Sequence, residues 1–215
     1  MGFLQDVINL YISKSDFFIK WFLEHLAISG TAIGISTLLG LSIGVLITYN
    51  ERASQIVLTI INFTYTIPTI AFFGLLMSWT GLGAKTALIV IVIYSLLPIT
   101  RNVYVGIKEV DFQVIEAAKA MGSTTAQILF KVQLPMALPV IIAGFRTMVV
   151  MVIAMTSIAA FIGAGGLGVA IWRGITTNNM VFTFAGSILV AIVAIFADTI
   201  LGLIQKKITI KVFGK

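Results

Sequence analysis

The sequence contains no cysteine and a single histidine, His25. Without cysteine there is no disulfide, no thiolate nucleophile and no thiolate-ligated metal. One histidine, with no HExxH run and no paired ligand spacing, argues against a metalloenzyme, so no metal or other cofactor is expected. Charge is also scarce: 10% of the 215 residues are Asp, Glu, Lys or Arg, too few to cover a water-facing surface. No carboxylate pair and no Ser-His arrangement is placed for hydrolysis, so no catalytic residue is assigned and the chain is not expected to be an enzyme. A GxxxxGK[ST] phosphate loop is missing too, and any ATP chemistry has to come from another protein.

What the chain has in abundance is apolar length. Hydrophobic residues make up 59% of it, and the mean hydropathy is +1.10. These values predict an all-α polytopic membrane protein of one domain. The net charge of +6 then points to anionic lipid rather than nucleic acid, because the charges flank apolar runs. The first 20 residues carry Asp6, Lys14, Asp16 and Lys20 and do not read as a cleavable signal peptide. Phe17, Phe18, Trp21 and Phe22 read as an interfacial aromatic belt, and Glu24 and His25 as interfacial residues at the start of the first span.

Five spans are expected, at about His25–Thr48, Ile56–Trp79, Ala84–Thr100, Met136–Phe161 and Val181–Leu203. The third is short, with Pro98 near its end. Five spans put the termini on opposite sides. With the C-terminus inside, the cytoplasmic side holds Arg52, Arg101, Lys108, Lys119, Lys131, Lys206, Lys207, Lys211 and Lys215, and the outer side holds Lys14, Lys20, Lys85 and Arg173. This excess of inner basic residues favours N-out, C-in. The organisation that follows is an extracytoplasmic or interfacial segment over 1–23, a transmembrane domain over 24–205 with a cytoplasmic helical loop at 102–134, and a basic tail over 206–215.

The cytoplasmic loop has a readable internal plan. Asp111 can cap a helix running through Phe112, Ile115, Glu116 and Lys119, with Glu116 paired to Lys119. Gly122 stops that helix by taking a left-handed conformation. Ser123 or Thr124 caps a second short helix, which Leu134-Pro135 ends as it opens the fourth span. On composition alone, this segment is either a docking knob for another protein or an amphipathic helix lying on lipid.

The spacing within the loop resembles a known pattern. Glu116-Ala117-Ala118, three residues, Gly122, nine residues, then Val132-Gln133-Leu134-Pro135 is similar to the EAA motif of ABC importer permeases, with Val132 in place of the usual isoleucine. The resemblance implies that this loop couples the permease to a cytoplasmic ATPase, and that Glu116, Ala117, Ala118, Gly122, Leu134 and Pro135 serve that coupling. The stretches TYTIPTIAFFGLLM, LLPITRNVYVGIKEV and SIAAFIGAGGLGVAIWRGI resemble permeases that import osmoprotectants such as glycine betaine, carnitine or choline. Methionine-importer permeases share the five-span plan, and their fold is the one expected. The resemblance further implies a bacterial plasma-membrane location, a second permease subunit (identical or related), two ATP-binding subunits and an extracellular or lipid-anchored substrate-binding protein. Two alternatives stand beside it: a methionine or amino-acid importer, and an ATP-independent oligomeric channel or exchanger with Arg146 and Asp198 as candidate residues.

Several residues inside the spans are candidates for the pathway or a gate. Pro68, after Tyr65, kinks the second span, and such breaks are tolerated where they face protein or a water-filled path. Gly163, Gly165, Gly166 and Gly168 suggest a tight re-entrant turn or close packing on the outer side. Arg146 falls near mid-membrane and calls for a polar interior or a partner. Asp198 is expected to pair with Lys206 or to sit at the lipid boundary.

Overall fold

A computed structural model describes residues 2–214, and every regular element among them is helical. A short helix, α1 (Phe3–Ser13), leads into the long α2 (Ser15–Leu46). After a tight turn come α3 (Glu51–Tyr65) and α4 (Thr69–Thr80), which meet at an angle of 97°. Then follow α5 (Ala84–Lys108), two short helices α6 (Phe112–Ala120) and α7 (Thr125–Ile128), α8 (Leu134–Ala159), α9 (Gly168–Thr176) and α10 (Met180–Phe213).

Four of these helices are long and apolar enough to cross a membrane by themselves, and the bent α3–α4 pair makes a fifth candidate. The packing shows that the pair crosses the bundle. A Cβ on Gly40 would overlap the Ile99 side chain, and one on Gly44 would lie 2.6 Å from Val103 Cβ. Contacts that ascend together in this way make α2 and α5 parallel. The segment between them must therefore return the chain to its starting face. It does so: Ser54 of α3 hydrogen-bonds Tyr104 near the end of α5, whereas Thr80 of α4 bonds Thr86 at the start of α5. In α8, Gly106 of α5 faces Ala137 and Val140, while Gly144 meets Asn102 and Pro98, so α5 and α8 are antiparallel. The chain thus passes between the two faces five times. Gly83 and Ile162 share a hydrogen bond on the face where α2, α5 and α10 begin, here termed the N-terminal face. The 109–133 segment lies on the opposite, C-terminal face.

Glycines set these crossings because small residues let helix backbones approach where no hydrophobic force drives helices together. The core they enclose contains Phe73, Ile91, Ile99, Met148 and Val152, all nearly inaccessible. Many leucines and isoleucines remain exposed around the bundle, among them Leu38, Ile60, Ile195 and Leu203.

The structure moves several expected boundaries. The first span is part of a helix that starts at Ser15, so Phe17, Phe18 and Trp21 are helical residues. Phe17 packs edge-on against Phe18, Trp21 and Phe182, and Phe18 stacks on Phe182, with the Arg173 guanidinium 5.7 Å from the Phe17 ring and 5.1 Å from the Phe182 ring. The third span does not stop near Thr100: α5 passes through Pro98 and ends at Lys108. Proline removes one backbone donor there, and Asn102 Nδ2 donates to the Pro98 carbonyl at 2.7 Å. The fifth helix reaches Phe213, so Lys206, Lys207 and Lys211 ride on α10 rather than on a separate tail. Leu134-Pro135 does not end the second short helix either. A π-helical turn over Leu129–Gln133 joins α7 to α8 without a gap, widening the coil just where Pro135 supplies no N–H.

Candidate functional site: a polar depression and two terminal turns

Tyr65 and Arg146 line one depression of the bundle, and Pro68 follows Tyr65 by three residues. The helix break between α3 and α4 spans Thr66 to Pro68, and Pro68 becomes the N-cap residue of α4, with its carbonyl accepting from Phe72 N at 3.0 Å. Proline disfavours helical geometry at the preceding residue, which is why the coil stops here. Tyr94 closes the break from α5 by donating to the Ile67 carbonyl, and its ring stands 5.7 Å from Tyr65 and 5.8 Å from Phe72. Counted from its start on the C-terminal face, α8 runs about 18 Å to Arg146, and Tyr65 reaches Met151 of α8 five residues further on. Arg146 therefore lies near the middle of a hydrocarbon layer about 30 Å thick.

Between α3, α8 and α10 is an open depression of about 620 Å³, lined by Tyr65, Arg146, Thr147, Met151, Asp198 and Gln205 among others. Arg146 and Asp198 form a two-pronged ion pair across its wall. Arg146 Nε donates to Asp198 Oδ1, and Nη2 donates to Oδ2 at 2.6 Å. This corrects the expected Asp198–Lys206 pairing. Residues 146 and 198 are brought level because α8 and α10 run antiparallel, and Gly202 leaves room for the guanidinium: a Cβ there would lie 3.1 Å from Nη1. The side chains remain 36% and 40% exposed, so the pair is not sealed inside the bundle.

The glycine-rich turn is elsewhere. Gly168 is 11 positions past Ser157 in sequence but sits directly on the Ser157 carbonyl, on the N-terminal face, about 16 Å along α8 from Arg146. Gly163, Gly165 and Gly166 all have positive φ, at 76°, 91° and 78°. A Cβ on Gly165 would fall 2.5 Å from the Glu24 carboxylate, and one on Gly166 would fall 3.1 Å from His25 Nδ1. His25 is completely buried beneath this turn. Sequence reasoning missed this role, since nothing local to His25 shows that a loop 140 residues later will cover it.

On the C-terminal face the loop follows its predicted plan. Asp111 accepts from Gln113 N at 2.8 Å, and Glu116 pairs with Lys119 at 2.9 Å. Gly122 adopts φ 81°. Its N–H donates to the Lys119 carbonyl and that of Ser123 to Ala118, the two-bond Schellman stop. Thr124, not Ser123, caps α7, in a reciprocal capping box with Gln127. Phe112, Met121 and Phe130 are exposed around this turn.

Residues 36–210 match the family model of the binding-protein-dependent transport system inner membrane component. The chain belongs to this family. The permease is 38% identical over 210 residues to the glycine betaine/carnitine/choline transport system permease protein OpuCD of Bacillus subtilis, covering 97% of this chain and 92% of that one. It is 44% identical over 166 residues to the ergothioneine transport permease/ergothioneine binding protein EgtU of Helicobacter pylori, covering 77% of this chain. The match spans 30% of that longer relative's length. Among solved structures, the permease superimposes on a chain of the inward-facing MetNI methionine ABC transporter with a TM-score of 0.83 at 24% identity, covering 92% of this chain and 98% of that one. At that identity the likeness bears on fold, and the expected methionine-importer-like architecture is the one observed. The permease is thus a multi-pass membrane component of a transport system.

Proposed function

We propose that the permease forms half of the path of an ATP-driven importer for a quaternary-ammonium osmoprotectant such as glycine betaine, carnitine or choline. Two permease subunits, two cytoplasmic ATP-binding subunits and an external substrate-binding protein complete the machine. The observation that carries this reading is the α6–Gly122–α7 knob. It is small and alanine-rich, presents Phe112, Met121 and Phe130 outward, and joins α8 without a break. Such a knob suits a groove on an ATPase, and its motion would pass directly into α8. The excess of basic residues on the C-terminal face supports placing that face in the cytoplasm. Glu116, Ala117, Ala118 and Gly122 make the docking contact, and Leu134 and Pro135 lie on the rod that transmits it. The OpuCD relative's name supports the substrate class.

The test is ATP-dependent uptake in proteoliposomes holding the permease, its ATPase and its binding protein, with radiolabelled glycine betaine, carnitine, choline, ergothioneine and methionine. Uptake of the first three that requires ATP and the binding protein supports the reading. Uptake by the permease alone assigns it to the channel or exchanger class. The identity to EgtU favours ergothioneine as a second substrate candidate, and its preferential uptake in this assay would replace the osmoprotectants.

A further inference from the structure

An ion pair half-open to its surroundings near mid-membrane is costly unless the opening is polar. Arg146 and Asp198 are in that position, in the depression that Tyr65 at the end of α3 also lines. A guanidinium has five N–H donors, of which Asp198 engages one on Nε and one on Nη2. The remaining donors can take a carboxylate. Asp198 keeps free lone pairs facing the same depression, and the exposed Tyr65 ring lines it from the other side. The wall therefore offers a fixed positive end, a fixed negative end and an aromatic face, and Thr147 also lines it.

We propose that this depression is a transport subsite for a zwitterion that carries a quaternary ammonium and a carboxylate. The carboxylate rests on the free N–H groups of Arg146. The ammonium, which has no N–H to donate, is held by the Asp198 charge and the Tyr65 ring. A zwitterion entering an apolar layer loses hydration at both ends, and an opposed fixed pair compensates both at once. The site has no net charge, so a passing cation or anion gains from one end only and is opposed by the other. The subsite thus favours zwitterions such as glycine betaine over the cation choline. This proposal rests on the import function above.

The experiment uses the complete complex in proteoliposomes and measures uptake of glycine betaine, methionine and choline. The key variant is the double substitution Arg146→Met with Asp198→Leu, because replacing both charges by apolar side chains of similar volume is often neutral for folding. The complex is expected to co-purify with its ATPase, while zwitterion uptake falls at least about tenfold, the scale of one lost charge-assisted contact. Arg146→Met alone leaves Asp198 in place and should raise the choline-to-betaine uptake ratio about tenfold. Normal betaine uptake by the double variant, with an unchanged ratio in the single one, makes the pair a structural tie and overturns the proposal. Loss of the second permease from the double-variant complex assigns the pair to subunit contact and also overturns it. If the wild-type complex carries methionine but not betaine, the osmoprotectant reading and the quaternary-ammonium assignment of the subsite both fail, whereas betaine uptake that the variants leave unchanged overturns the subsite alone. If it carries no zwitterion, both fall.

Discussion

The two ends of the permease each turn on glycine, for different physical reasons. At the C-terminal face, Gly122 has nothing within 4 Å of where a Cβ would stand, and only its φ of 81° requires glycine. At the N-terminal face, Gly168 has ordinary helical φ but no room, because a Cβ would overlap the Ser157 carbonyl. The first turn is constrained by conformation alone and left open; the second, whose Gly163, Gly165 and Gly166 also have positive φ, is constrained by space as well and closed. An open, rigid turn suits a surface that meets another protein. A closed one, seated on Glu24, His25 and Ser157, holds the end of α8 against α2. The two sites should therefore fail in different ways when a side chain is added.

The largest effect is expected at Gly168. Alanine is a better helix former than glycine, so Gly168→Ala would be stabilising if backbone freedom were the issue. Because the clash is with backbone, which cannot swing aside, the cost is expected to be about 3 kcal/mol. In detergent this should appear as a fall in the thermal midpoint on the order of 10 °C. A wild-type midpoint would mean that the turn does not rest on α8 as described.

At Gly122 the order reverses. A non-glycine residue at this φ costs about 1–2 kcal/mol locally, and asparagine costs less. Gly122→Leu should leave membrane insertion and the thermal midpoint within a few degrees of wild type, yet abolish uptake and weaken ATPase co-purification. Gly122→Asn should retain part of both. Equal, wild-type uptake by both variants would show that the turn's shape does not matter for coupling, and would favour a helix that merely lies on lipid.

The same contrast explains what could be read in advance. The knob was legible because its signals are local: Asp111, Gly122 and the Thr124–Gln127 box act within a few residues of themselves. The break at Pro68 was legible for the same reason. Inside the spans, apolar residues surround each helix, so periodicity carries no information about which face meets which neighbour. Gly40, Gly44 and Gly144 give no local hint of their partners. Arg146 could be seen to need a partner, but Asp198 lies 52 positions away and is brought level only by the antiparallel packing of α8 and α10. The early start of α2 was hidden because Asp16, Lys20 and Glu24 lower the local hydropathy without breaking the helix.

The smallest effect concerns Glu116, and it separates its two possible roles. The Glu116–Lys119 pair is roughly half exposed, with side-chain exposures of 48% and 55%. Exposed pairs contribute about 0–1 kcal/mol, and helix pairs spaced three or four residues apart about 0.2–0.5 kcal/mol. Lys119→Ala removes the pair while keeping the carboxylate, and should leave both midpoint and uptake close to wild type. Glu116→Lys also removes the pair and reverses the charge on the knob. Its midpoint should shift by no more than a degree or two, since little stability is at stake. If Glu116 meets a basic group on the ATPase, uptake by Glu116→Lys should nevertheless fall at least about tenfold, with ATPase retained poorly through purification. Comparable uptake by Lys119→Ala and Glu116→Lys would reduce Glu116 to a solvated helix residue, leaving the knob's docking to its apolar rim at Phe112 and Met121.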